Sequence, residues 1–89
     1  MAEPRRRLET LRAGAPLRVG SATLLLIERS EVLAELGARG AWLSAVKEPY
    51  ALVLRDGEGV RAFPAGAAAV TLEELRERIP ELEALLGLA

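Results

Sequence analysis

The stretch "YALVLRDGEGVRAF" (50–63) constrains this chain more than any other. Two short apolar runs flank a four-residue break, Asp56-Gly57-Glu58-Gly59, and runs of that kind bounded by turn residues read as paired strands. Aspartate first and glycine fourth suit a type I turn, with Gly59 free to take positive φ. Asp56-Gly57 as a two-residue primed turn is the rival, and the two alternatives shift which side chains meet across the hairpin. The same region, widened to 47–64, holds the chain's only lysine, tyrosine, aspartate and phenylalanine: Lys47, Tyr50, Asp56 and Phe63. Either chemistry or a well-made hairpin could gather rare side chains this way.

Other strands are legible around it. "PLRVGSATLLLIERSEV" (16–32) reads as strand, Gly20-Ser21 turn and strand, with the apolar run 23–27 ending at Glu28-Arg29. Residues 30–36 fit two patterns. Val32, Leu33 and Leu36 share a helical face, with Ser30 as N-cap and Gly37 as stop. Val32, Ala34 and Leu36 alternate as in a strand. The strand is preferred because another apolar strand, "AWLSAV" (41–46), follows directly. Lys47-Glu48-Pro49 then reads as a solvated connection between strands.

Two segments read as helical. Residues 3–13 form a short N-terminal helix in this reading: Pro4 suits a first turn, Leu8 and Leu11 share a face, and Gly14 and Pro16 stop it. Three arginines near its start oppose the helix dipole, so it would be marginal alone. The segment 71–86 is stronger. Thr71 and Glu74 make a capping box, Val70 and Leu75 a hydrophobic staple, and Leu72, Leu75, Ile79 and Leu82 follow at helical spacing. Pro80 removes an N–H and biases Ile79 away from the α region, so the segment is expected to break there. The expected fold is α+β, in a single small domain spanning 1–89. An antiparallel meander of four to six strands over 16–63 carries the 71–86 helical segment packed on one face.

Composition limits the chemistry. The chain has 89 residues, 51% apolar and 28% charged, with three aromatic residues, so its core must be mostly Leu, Val and Ala. Some apolar surface is left over for a partner. The absence of Asn, Gln and Cys is a thermophile-like trait. Without Cys or His the chain lacks the usual thiolate nucleophile, the commonest general base and the commonest metal ligands. Ser21, Ser30 and Ser44 therefore have no triad partner, and no catalytic, metal or cofactor-binding residue set is assigned; no cofactor is expected. The carboxylates Glu73, Glu74, Glu77, Glu81 and Glu83 alternate with Arg76 and Arg78 and read as a charged outer face.

The net charge of −1 offers no field for nucleic acid, and the run Arg5-Arg6-Arg7 is flanked by Glu3 and Glu9 with no aromatic platform nearby. "LEALL" (82–86) matches a groove-docking pattern, but any leucine-rich helix produces it, and core packing or self-association is the preferred reading. Lys47-Glu48 reads as a surface pair, and Tyr50 as a packed ring with a wet hydroxyl. No stretch approaches the ~20 apolar residues of a membrane helix, so a cytoplasmic protein is expected.

Two stretches carry a resemblance. "GAPLRVGSATLLLIERSEV" (14–32) resembles the "G-x-P-x-x-V-G-x-x-T" approach and apolar strand of the spore germination protein W (sporulation protein YtfJ) family. "EPYALVLRDGEGVRAFP" (48–64) resembles that family's later proline-led strand, glycine turn and returning strand. A terminal helix follows in both. This chain keeps only "LGARG" where the family has a long glycine-rich tract, and Leu26-Ile27 where a proline is usual. The resemblance implies a β-rich fold with a C-terminal helix and an interaction role, and transfers no site residue.

The functional expectation is a non-catalytic module that forms homo-oligomers or binds a protein partner, without nucleic acid or membrane. The alternative is a small ligand-binding protein or enzyme using Arg, Glu, Tyr50 or Lys47. A cavity joining Lys47, Tyr50 and a carboxylate would favour the alternative; a flat, wet arrangement would count against it.

Overall fold

A computed structural model describes residues 5–87. The chain is mostly antiparallel sheet, curled into a half-barrel, with a short C-terminal helical part. The strands are β1 (Arg5–Ala13), β2 (Leu17–Val19), β3 (Ala22–Gly37), β4 (Gly40–Asp56) and β5 (Gly59–Pro64); the helices are α1 (Leu72–Arg78) and α2 (Leu82–Leu85). Strand order is β1-β3-β4-β5, and β2 also pairs with β3. The last three strands thus form the expected meander. The first two share one side of β3: β2 pairs near its start and β1 along the rest.

Local sequence explains the turns. Val19 and Ala22 close the Gly20-Ser21 turn, where Gly20 takes φ 61°. At the β4–β5 hairpin Asp56 pairs with Gly59, and the Asp56 carboxylate accepts from the Glu58 N–H at 2.9 Å. Gly59 takes φ 120°, a conformation that a Cβ disfavours. The four-residue turn holds, and Asp56-Gly57 does not form the primed alternative.

Residues 30–36 are strand, as preferred, but the strands are far longer than expected. Glu28-Arg29 does not end β3, and Lys47-Glu48-Pro49 does not separate two strands: β3 runs 16 residues and β4 runs 17. The ladder steps from Ile27 opposite Ala51 to Glu28 opposite Pro49, leaving Tyr50 as the extra residue of a β-bulge. Pro49 is tolerated because β5 pairs with β4 only from Ala51 onward, so its outer edge is unpaired.

The N-terminal helix expected over 3–13 is corrected: Arg5–Ala13 is strand β1, and residues 3 and 4 lie outside the described residues. Cross-strand partners override the local pattern. Arg7 meets Glu31 at 2.9 Å and Glu9 meets Arg29 at 3.4 Å. A strand lets these charges alternate with Leu8 and Thr10, whereas a helix would have set the arginines against its own dipole.

The helical segment breaks as its sequence requires. The Thr71 hydroxyl accepts from the Glu74 N–H at 3.2 Å, and Ile79 leaves the helical region at φ −128°, ψ 86°. The core lies between one sheet face and these helices. Leu25, Ile27, Ala51 and Val53 from the strands meet Leu75, Ile79, Leu82 and Leu86, all essentially buried. Leu82 and Leu86 of the "LEALL" pattern are thereby core residues. The Arg55 guanidinium donates to the Leu86 carbonyl and ties the end of α2 to the sheet. No helix among the described residues is long and apolar enough to cross a membrane.

Candidate interaction surface

Side chains alternate across a strand, so the registers assign each residue to a face. The face under the helices carries Leu25 and Ile27 on β3, and Ala51 and Val53 on β4. Along the same face, past the bulge, the apolar row gives way to charge. Arg29 is the hub. It approaches Glu9 at 3.4 Å and Glu48 at 2.5 Å, and it also pairs with Glu31. Arg78 of α1 reaches Glu9 at 3.1 Å, so the helix is fastened to the same cluster. The Tyr50 hydroxyl donates to Glu74 at 2.5 Å, with its ring against the core. The expectation of a wet hydroxyl is thus replaced by a specific partner, which the bulge makes reachable.

The electrostatics follow these contacts. The Arg78 hydrogen bond, helped by Arg29, holds the Glu9 carboxyl below its usual range. The Arg7 hydrogen bond, again helped by Arg29, does the same for Glu31. The Glu74 carboxylate, by accepting the phenolic hydrogen, pushes the Tyr50 pKa up, and burial adds to it.

Beyond this charged seam, β1, β3 and β4 continue as an arm that, among the described residues, no helix covers. At its end Ala38 and Arg39 form a turn between Gly37 and Gly40. Trp42 and Val46 stand on the helix-side face of the arm, each 52% exposed. The opposite face, the back of the sheet, is apolar along most of its length. Leu8, Leu36 and Leu43 are exposed on the arm, and Leu17, Val19, Leu26 and Phe63 behind the covered half. A polar belt separates the two patches, with Thr10, Ser30 and Lys47 aligned across it.

Lys47 and Tyr50 do not share a cavity. Lys47 lines a shallow depression on the back of the sheet with Arg12, Glu28 and Ser30. Tyr50 borders a separate depression with Arg29, Glu48 and Pro49. The arrangement that would have favoured a lysine–tyrosine site is therefore not formed. Two of the C-terminal carboxylates are drawn into local contacts, Glu83 with Arg76 at 2.5 Å and Glu74 with Tyr50. Among the described residues, no group of carboxylates is placed to hold a metal ion.

Sequence reasoning missed the hub role of Arg29. Its signal was a lone arginine among Glu28, Glu31 and Glu48, but its partners lie on three strands. It also missed Trp42 and Leu43 as surface residues, because an apolar alternation looks the same whether or not a second layer covers it.

No family model, no curated protein and no solved structure matches this chain.

Proposed function

We propose that this protein is a non-catalytic module that works by associating with itself or with a protein partner. One observation carries the reading: the sheet has a core on one face only, and its back is apolar and uncovered. Leu8, Leu17, Val19, Leu26, Leu36, Leu43 and Phe63 are 42–69% exposed there. These side chains leave on the order of 700 Å² of apolar surface on one side of the sheet, comparable to the ~800 Å² each partner contributes to a stable complex. The area is divided by the polar belt into two patches of a few hundred Å² each, the size that often marks a contact site. The resemblance to the spore germination protein W family adds an interaction role to the proposal.

Light scattering across a dilution series tests it. The expected result is a mass of two or more chains that falls on dilution. A single-chain mass at every concentration, together with no binding of an apolar fluorescent dye, removes the reading.

A further inference from the structure

The outer edge of β4 is protected along one part and bare along another. Edge strands are kept from joining other chains by lysine, charge, proline and bulges. From 47 to 50 β4 has all four: Lys47, Glu48, Pro49 and the bulge at Tyr50. From 41 to 46, "AWLSAV", it has none, and β5 does not reach it. Trp42, Leu43 and Val46 are 52%, 69% and 52% exposed on this segment.

We infer that this bare edge pairs antiparallel with the same edge of a second copy, about a two-fold axis at Ser44. The inference rests on the self-association reading above and places the contact at this edge rather than on the apolar back. The two-residue turn closes on Gly37 and Gly40, so alternation directs the backbone groups of Trp42, Ser44 and Val46 to β3. The groups of Ala41, Leu43, Ala45 and Lys47 then point to the free edge.

Three registers oppose those outward groups near the centre of the segment, and charge and proline choose among them. An axis at Leu43 sets Lys47 opposite Arg39 of the second copy, and like charges repel. An axis at Ala45 draws Pro49 into the ladder and sets Glu48 against Trp42. An axis at Ser44 sets Lys47 opposite Ala41 and brings Glu48 beside Arg39. It leaves Pro49 just past the last pair. Trp42 then meets Val46 on one face and Leu43 meets Ala45 on the other, the aromatic and β-branched pairing that stabilises sheets. About eight backbone hydrogen bonds join the copies, and two three-stranded arms become one six-stranded sheet.

Single cysteines test this cleanly, because the chain has none of its own. At the two-fold axis, Ser44→Cys faces its copy as a non-hydrogen-bonded pair with Cα atoms about 4.5 Å apart, within the range a disulfide spans under mild oxidation. Phe63→Cys, on the back of the covered half, is the comparison. The expected result is at least tenfold more covalent dimer from Ser44→Cys than from Phe63→Cys. Ala45→Pro removes an N–H that points to the free edge; it is expected to weaken the dimer at least tenfold while leaving the circular dichroism of the monomer intact. If light scattering shows a dimer but Phe63→Cys cross-links in preference to Ser44→Cys, the copies meet through the sheet back. That result overturns the edge pairing and leaves self-association standing. Monomer at every concentration overturns both.

Discussion

The two halves of the long β3–β4 hairpin are built from the same strands, yet one is a core and the other an arm. In the covered half, Leu25, Ile27, Ala51 and Val53 face α1 and α2 and are fully buried. In the arm the equivalent face begins with Arg29, Glu31 and Glu48 and ends with Trp42, half exposed. The helical segment is short, seven residues and then four, and it covers only the half nearest β5. The charged seam marks where that cover stops, since charges there keep contact with water while pairing with one another. A sheet can therefore be held together by a core under half its length, while the other half stays available for contacts between chains.

The largest expected break of this comparison is Leu75→Ala. It opens a cavity between α1 and the sheet and is expected to cost about 3 kcal/mol, read by denaturant unfolding. Tyr50→Phe comes next. It removes the one side-chain hydrogen bond from the bulge to α1 and is expected to cost about 1 kcal/mol. In the parent protein the phenol is expected to ionise above the ordinary 10.0, so this contribution is present below pH 10 and fades as pH rises through the raised value. Ultraviolet titration of tyrosinate, with Glu74→Gln lowering the midpoint, checks it.

Acid acts on the seam. Glu9 and Glu31 have lowered folded-state pKa values, so their contribution is present above the ordinary 4.5 and is lost as pH falls from there through the lowered values. Hydrogen exchange of the arm amides is expected to quicken in that window before exchange at Leu25 and Val53 does. Glu31→Gln flattens the dependence. The smallest effect sharpens the contrast from the other side: Leu43→Ser on the arm is expected to change the stability of the monomer by under about 0.5 kcal/mol. In the same variant, association measured by light scattering is expected to weaken clearly.

Much of the fold was legible because its signals are local. The Gly20-Ser21 and Asp56–Gly59 turns, the Thr71–Glu74 cap and the break before Pro80 each depend on residues within a few positions of one another. The errors came from partners distant in sequence. Arg5–Ala13 has a weak helical stripe, and only Glu31 and Arg29 on a neighbouring strand make it a strand. Lys47-Glu48-Pro49 looks like a connection, and only the absence of β5 beside Pro49 lets the strand pass through. The surface itself was half legible: surplus apolar residues in a small chain suggested a partner, but not which strand carried them.

The sequence by itself determined the turns, the cap, the proline break and the lack of His and Cys, because backbone preference and side-chain chemistry belong to single residues and near neighbours. Only the tertiary structure decided which alternating apolar residues became core and which became surface. That outcome depends on where two short helices happen to lie, and an alternating strand buries whichever face receives a second layer.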